Sequence, residues 1–353
     1  MQFNTIKQLL KLTVFLKLLF IFSACKPEPI VPKGDYETGV FIVNEGVFSN
    51  TSGSISYYNT SEKTVQNKIF NAVNSRDLGD VVQSMTFDQD RAYIVVNNAN
   101  KIEAVDANTF EEKGQILGLE LPRYVLPISD KQAYISEWGS DGKTGRIRVI
   151  DLEELKVVKT INTNKQGPER MLLWNNKVFV VNVGGFGRDN SISVIDISTH
   201  TVVETITVGD NPNSLVLDAN NQLWVACGGY VDYADANNST VGQLLKIDPS
   251  TYAVTTVWNS EKGKGPKNLH LNDNKLFYNK DGALWSYDIA AQSETLLVNE
   301  RFYGIGVRED VLYGASYSGV NNAWVKRYSL AGSLIDSFQV GQFANGFVFK
   351  VTD

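Results

Sequence analysis

From Gly39 onward the chain repeats one strand pattern about seven times, and this repeat constrains the fold more than any other feature. Each unit has an apolar strand, a tight turn, a second strand, a longer loop and an apolar third strand that ends in Asp. The clearest third strands are 40 to 52 positions apart and end at Asp106, Asp151, Asp196, Asp248 and Asp288. A period of this length with strand-like patterning is typical of a β-propeller. The sequence therefore predicts an all-β fold.

Proline opens four of the units, at Pro122, Pro168, Pro212 and Pro266. Because proline lacks an N–H donor, it suits the first residue of a strand. With the strands that follow, six blades are predicted at residues 83–116, 122–161, 168–206, 212–257, 266–297 and 303–338. The Asp that ends each third strand is expected to accept hydrogen bonds from the backbone two residues on and so close the next turn.

The two ends of the repeat region complement each other. Residues 39–70 supply only the second, third and fourth strands of a blade, with the fourth predicted at 65–70. An apolar strand at residues 345–351 supplies the missing first strand. We therefore predict a seven-bladed β-propeller over residues 39–353, closed by pairing of the C-terminal strand with the N-terminal blade. Such closure removes an exposed sheet edge.

The first 24 residues have the pattern of a secretory signal. Three lysines precede a short apolar run at 18–22, and small residues follow before Cys25. The run is too short to span a membrane. Phe-Ser-Ala-Cys25 resembles a bacterial lipobox, in which cleavage precedes a Cys that is then acylated. We therefore predict that residues 1–24 are a lipoprotein signal peptide and that Cys25 is lipidated. Residues 25–38 contain three prolines and are expected to form an extended tether.

Charge and cysteine content exclude some partners and crosslinks. The chain of 353 residues has a net charge of −6, which argues against nucleic acid or anionic lipid as the main partner. With Cys25 acylated, Cys227 is the only remaining thiol, so no internal disulfide is expected. Cys227 follows Leu-Trp-Val-Ala and is interpreted as a small buried apolar residue rather than a nucleophile.

The two faces of the predicted ring differ. In four-stranded blades the first-to-second and third-to-fourth turns lie on one face (the turn face), and the other connections lie on the opposite face (the loop face). The loop-face segments are rich in glycine, aromatic residues and amides, which suit ligand binding. The predicted ligand contacts are Trp138, Phe186, Tyr230, Tyr233 and Tyr317, with Arg123 and Arg170 as hydrogen-bond donors. The alternative is that these loops are simply variable, with Trp138 and Phe186 packing against neighbouring loops.

Catalytic and metal-binding patterns are weak. The two histidines, His200 and His270, fall in different blades, on a turn and on an inner strand. Two histidines in separate blades argue against a histidine-rich metal centre and against a Ser-His-Asp triad. The acidic loop at 232–237 departs from the spacing of calcium loops, and no helix follows Gly184-Gly-Phe-Gly as a phosphate site requires. We predict no enzyme activity, no catalytic residue, no metal site and no bound cofactor.

The Asp-ended repeats and Pro-initiated strands resemble the YVTN/YncE-type seven-bladed propellers. The opening Val40–Gly46 segment, with Ser54–Asn59 and Asp77–Asp80, is similar to the BtuG-type surface lipoproteins of Bacteroidota. This resemblance implies capture of cobalamin or a related corrinoid and its transfer to a BtuB-like TonB-dependent transporter. It also implies lipid anchoring at the outer membrane, exposed at the cell surface. Two alternatives remain: a propeller enzyme of lactonase or oxidoreductase type, and a protein-interaction platform.

Overall fold

Seven four-stranded antiparallel sheets surround a central channel in the computed structural model, which describes residues 34–351. The predicted all-β, seven-bladed propeller is thus confirmed. The predicted signal peptide (1–24), Cys25 and the tether up to residue 33 lie outside the described residues. No helix within residues 34–351 is long and apolar enough to cross a membrane.

The strands are numbered in chain order and the blades by the order in which their central strands occur. Blade 1 contains β28 (Ala344–Lys350), β1 (Gly39–Asn44), β2 (Ser54–Asn59) and β3 (Thr64–Gln66). Blade 2 contains β4 (Val82–Asp88), β5 (Arg91–Val96), β6 (Lys101–Asp106) and β7 (Glu112–Ile116). Blade 3 contains β8 (Pro122–Ser129), β9 (Gln132–Glu137), β10 (Arg146–Asp151) and β11 (Lys156–Asn162).

The remaining blades repeat this arrangement. Blade 4 contains β12 (Pro168–Trp174), β13 (Lys177–Asn182), β14 (Ser191–Asp196) and β15 (Thr201–Thr207). Blade 5 contains β16 (Pro212–Leu217), β17 (Leu223–Cys227), β18 (Val241–Ile247) and β19 (Val254–Lys262). Blade 6 contains β20 (Lys267–Asn272), β21 (Lys275–Lys280), β22 (Ala283–Asp288) and β23 (Ser293–Val298). Blade 7 contains β24 (Phe302–Arg308), β25 (Val311–Ser316), β26 (Asn322–Ser329) and β27 (Leu334–Gln342).

The ring closes through the predicted strand pair. β28 runs antiparallel to β1, with Ile42 opposite Phe347 and Phe41 opposite Val348. Phe347 is buried, and its ring centroid lies 5.6 Å from that of Tyr313 in blade 7. The C-terminal strand therefore belongs to blade 1 and also packs against the blade that precedes it in the ring.

The prediction for residues 65–70 was wrong in part. Only Thr64–Gln66 forms a strand, and Ile69–Asn74 forms a short helix, α1. Lys68 adopts a left-handed conformation with φ 56°, which ends the extended chain and starts the helix. Ile69 and Phe70 are buried in the same apolar cluster as Phe110 of blade 2. A short apolar run of this kind fits either a strand or a helix until its packing partner is known.

The Asp residues that end the third strands close the following turns as predicted. The Asp106 Oδ1 atom accepts hydrogen bonds from the backbone N–H groups of Asn108 and Thr109, at 2.9 and 3.0 Å. The same pair of bonds occurs at Asp151, Asp196, Asp248 and Asp288. In blade 1 Asn59 takes this role through its Oδ1 atom. An amide oxygen serves as well as a carboxylate here because only an acceptor is required.

Apolar side chains from adjacent blades form the core between the sheets. One such cluster joins Val95 and Ile102 of blade 2 to Ala133 and Ile135 of blade 3. Burial of each Val or Ile side chain contributes about 1.5–3 kcal/mol. Cys227 is fully buried in the cluster between blades 4 and 5, which confirms its interpretation as a small core residue.

Candidate functional site

Each inner strand has an irregularity at the loop-face end, where the ladder with the next strand shifts register. Such β-bulges re-aim side chains and end regular pairing. The second residue of the inner strand is polar in every blade. These residues, called the mouth ring below, are Gln83, Arg123, Glu169, Asn213, Asn268, Tyr303 and Asn345.

The mouth ring joins neighbouring blades. The Asn345 Nδ2 atom donates to the Gln83 carbonyl at 3.0 Å, which links blades 1 and 2. Asn213 and Asn268 donate in the same way to the carbonyls of Pro266 and Tyr303, at 3.0 and 3.2 Å. Because each bond satisfies a backbone acceptor of the next blade, the ring holds the rim of the central channel in place.

The strongest link in the mouth ring is an ion pair between blades 3 and 4. The Arg123 guanidinium donates two hydrogen bonds of 2.8 Å to the carboxylate of Glu169. The indole Nε1 of Trp138 donates to the same carboxylate at 2.9 Å, and the Arg123 guanidinium carbon lies 4.1 Å from the Trp138 ring centroid. Two nitrogen atoms of Arg123 are thus bonded to Glu169, and the guanidinium also stacks on the Trp138 ring.

Phe186 extends this group towards solvent. Its ring lies edge-on to Trp138, with centroids 5.7 Å apart, and 67% of the residue is exposed. Trp138 and Phe186 therefore do pack against each other, as the alternative interpretation of the loops holds. Because Phe186 is still exposed, this packing leaves an aromatic surface for contact with a ligand.

The glycine before Phe186 is required by a close approach of two loops. The Phe186 N–H donates to the Gly142 carbonyl of blade 3 at 2.9 Å. Gly185 has φ +55°, and a Cβ atom there would lie 2.1 Å from the same carbonyl oxygen. The Gly184-Gly-Phe-Gly segment thus places Phe186 against the blade 3 loop by backbone geometry.

A second aromatic cluster lies across the mouth. The ring of Tyr303 lies 5.8 Å from Tyr317 and 5.6 Å from Phe343. The Tyr303 hydroxyl donates to Glu45 Oε2 at 2.6 Å, and Asn345 donates to Glu45 Oε1 at 2.8 Å. Tyr317 is 55% exposed. Beside this cluster a cavity of about 480 Å³ is lined in part by Asn268, Asn279, Lys267, Arg301, Tyr303 and Tyr317.

Burial governs the ionisation of this second cluster. It raises the pKa of the Glu45 carboxyl, although the bonds from Tyr303 and Asn345 act in the opposite direction. Burial and the nearby Glu45 charge raise the pKa of the Tyr303 phenol well above its usual value. Tyr303 therefore remains a protonated donor at neutral pH.

Tyr230 and Tyr233 lie on the blade 5 loop, and their rings do not contact the rings of the other two clusters. The Arg188 guanidinium carbon lies 4.6 Å from the Tyr230 ring centroid, and Arg188 also pairs with Asp210. Tyr233 is 96% exposed.

The blade 5 loop is stabilised by its own acids. Asp232 Oδ1 accepts from the backbone N–H groups of Ala234 and Asp235, and Asp235 Oδ1 accepts from that of Asn237. These bonds account for the acidic residues without a calcium ion. Within residues 34–351 no group of three or more His, Cys, Asp or Glu side chains is arranged to hold a metal ion.

Arg170 lies deeper than the other predicted contacts. It lines the central channel, a cavity of about 470 Å³, and its guanidinium carbon is 4.7 Å from the Tyr124 ring centroid. His270 lines the same channel. Burial, with a smaller contribution from the Arg170 charge, lowers the pKa of His270 to about 4.

The structure brings Arg123, Trp138 and Phe186 together, and places Tyr317 with three residues that were not among the predicted ligand contacts. Glu45, Tyr303 and Phe343 complete the Tyr317 cluster. In the sequence, Tyr303 and Phe343 lie near blade entries and Glu45 lies in the opening segment, and these positions were the indication of a role. Taken together, the two clusters present flat apolar area beside buried polar supports.

Comparison with known proteins identifies the family. The family described as a domain of unknown function (DUF5074) matches residues 38–349. The chain belongs to this family. No curated protein sequence matches the chain.

Solved structures support the fold. A quinoprotein alcohol dehydrogenase-like protein from Bacteroides thetaiotaomicron is 14% identical, with a TM-score of 0.66 over 90% of this chain and 80% of that one. The periplasmic gluconolactonase PpgL of Pseudomonas aeruginosa is 10% identical, with a TM-score of 0.62 over 88% and 99%. Apo AztD of Citrobacter koseri is 9% identical, with a TM-score of 0.56 over 90% and 100%. At such identities the likeness concerns the fold alone.

Proposed function

We propose that this propeller is a non-catalytic capture protein that holds a large ligand, cobalamin or a similar corrinoid, on its loop face. The observation that supports this most directly is the pair of exposed rings on buried polar supports. Phe186 rests on Trp138, which is held by Glu169, and Tyr317 rests beside Tyr303, which is held by Glu45. A preformed surface loses little side-chain freedom on binding, which favours affinity.

The chemistry of a corrinoid suits such a surface. It offers a wide apolar disc with amides at its edge. Aromatic rings cover the disc, and nearby donors such as Lys267 and Arg301 in the adjoining cavity match the amide oxygens. Binding of this kind requires no metal ion from the protein.

We further propose that acylated Cys25 anchors the propeller at the outer membrane and that the ligand passes to a BtuB-like TonB-dependent transporter. This rests on the signal-like N-terminus and on the resemblance of the opening segment to BtuG-type proteins. Glu45 belongs to that segment and contacts both Tyr303 and Asn345. The resembling residues thus lie at the proposed binding face.

Isothermal titration of the detergent-solubilised full chain with cyanocobalamin tests the ligand. We expect saturable binding at micromolar protein, weakened at least about tenfold in Phe186→Ala or Tyr317→Ala. Leu296→Ala is the matched control, because Leu296 is an exposed apolar residue of the outer strand β23. Absence of saturable binding rules out this ligand, and equal weakening by all three variants rules out this face.

A propeller enzyme is the alternative, favoured only by the names of two structural neighbours, a gluconolactonase and a quinoprotein alcohol dehydrogenase-like protein. It predicts turnover of lactones or alcohols by the purified protein. A protein-interaction platform instead predicts co-purification with an outer-membrane partner and no change in melting temperature with small molecules.

A further inference from the structure

The central channel contains a positive charge without a counter-ion. Arg170 is half-buried in the channel wall and stacks on Tyr124. Across residues 34–351 the Arg170 guanidinium makes no ion pair and no hydrogen bond. By contrast, the shielded guanidiniums of Arg123 and Arg327 each pair with a carboxylate. A shielded charge that lacks a partner is unfavourable, and a bound anion would relieve that cost.

Among residues 34–351, no acidic side chain lines the channel. The chain has 39 Asp and Glu residues and a net charge of −6, yet the channel wall contains a guanidinium and no carboxylate. The nearby acids Glu169 and Glu45 are already bound, to Arg123 and to Tyr303 with Asn345. The Arg170 charge therefore has no carboxylate in the channel wall to offset it.

Apolar side chains form much of the remaining wall. They include Met85, Phe87, Met171, Leu215, Ile305 and Phe347. The wall also contains polar groups, and Tyr124 lies against Arg170. The polar residues are Gln83, Ser84, Thr86, Tyr124, His270 and Asn345. A planar guanidinium pairs best with a planar carboxylate, through two parallel hydrogen bonds. The cavity volume of about 470 Å³ leaves room for an apolar body attached to that carboxylate, and the apolar side chains of the wall would contact it.

We propose that the central channel binds a small organic carboxylate with an apolar body, with Arg170 as its anion contact and Tyr124 holding the guanidinium in place. An inorganic anion would satisfy Arg170 and leave the apolar wall without contacts. This site goes beyond the ligand proposed for the loop face, since its contacts lie on the inner strands β8 and β12 and not on the aromatic clusters.

Isothermal titration of the detergent-solubilised full chain tests the channel with benzoate, benzamide and sulfate. Benzoate should bind saturably. Benzamide, a neutral molecule of nearly the same shape, and sulfate should each bind at least about tenfold more weakly. Absence of benzoate binding overturns the proposal, as does equal binding of benzamide or of sulfate.

A variant locates the binding. Arg170→Met keeps the length of the side chain and should weaken benzoate at least about tenfold, whereas Arg170→Lys, which keeps the charge, should lose less. The matched control Arg308→Met removes an exposed guanidinium at the other end of an inner strand and should not alter binding. Unchanged binding in Arg170→Met overturns the proposal. If that variant does not fold, the comparison of benzoate with benzamide on the unaltered protein still decides it.

The two proposed sites are separable. Phe186→Ala and Tyr317→Ala should leave benzoate binding unchanged. Loss of benzoate binding in both loop-face variants would contradict a separate channel site. A failure of cobalamin binding would leave the benzoate result unaffected.

Discussion

Arg123 and Glu169 form a bidentate ion pair across the boundary between blades 3 and 4, with two N–O distances of 2.8 Å. Their side chains are only 14% and 9% exposed. Since Trp138 donates to the same carboxylate, this pair both joins two blades and supports the aromatic surface that ends at Phe186. Ring integrity and the proposed binding face thus depend on the same two residues.

Breaking this pair should be strongly destabilising. Arg123→Met leaves the Glu169 carboxylate buried without its cation, which should lower the free energy of unfolding by about 3–5 kcal/mol. The double variant Arg123→Met/Glu169→Leu should lose less than the sum of the single variants, because neither charge remains buried alone. Urea unfolding measures all three. The exposed pair of Arg308 with Glu309 is the control, and Arg308→Met should change stability by about 1 kcal/mol or less. Additive single effects would contradict this account of the pair.

The C-terminal strand should stabilise the whole ring. Deletion of residues 346–353 removes most of β28, including buried Phe347, and exposes the edge of β1. Loss of a buried Phe side chain alone costs about 3–5 kcal/mol, so the melting midpoint of the entire propeller should fall. Differential scanning calorimetry measures it, with deletion of Thr352 and Asp353 alone as the control. A truncated protein with an unchanged midpoint would refute closure through β28.

His270 should make stability depend on pH. Its pKa falls from 6.5 to about 4 on folding, mainly through burial and further through the Arg170 charge. Between these values the unfolded chain binds a proton that the folded protein does not, so stability decreases as pH falls from about 6.5 to about 4. Over this pH range His270 should lower the free energy of unfolding by about 3 kcal/mol in total.

Chemical unfolding at several pH values isolates this contribution. As pH falls through that window, the unaltered protein should lose more stability than the His270→Gln variant does. His200→Gln is the comparison variant: burial and the Lys159 charge also lower the pKa of His200, so its effect should have the same sign but be smaller. A difference that stays constant from pH 7 to pH 4 would show that His270 titrates normally.

Cys227 should be chemically inert in the folded protein. It is fully buried, and burial raises the pKa of its thiol to about 12. With Cys25→Ser as the background, Ellman's reagent should label Cys227 only after unfolding, because the thiolate is the reactive form. Ala290→Cys, at an exposed turn, should be labelled at once. Rapid labelling of Cys227 under native conditions would show that the blade interior opens readily.

Local patterns predicted the scaffold closely. Strand alternation, proline at strand starts and Asp at strand ends act over a few residues, so the blade bounds and the Asp106-type turns could be read directly. The helix α1 was missed because Ile69 and Phe70 have the same apolar pattern in a strand as in a helix. Their burial in one cluster with Phe110, some 40 positions away, selects the helix.

The sequence by itself determined the ring, its closure and the face with irregular loops, since those depend on repeated short-range chemistry. Only the tertiary structure decided that Arg123 binds Glu169 while Arg170 lines the channel. Arg123 directly follows the first proline of its inner strand, whereas Arg170 lies two positions after the proline of the next blade. At a β-bulge, a shift of one residue redirects a side chain. Their partners come from other blades, so no local pattern contains them.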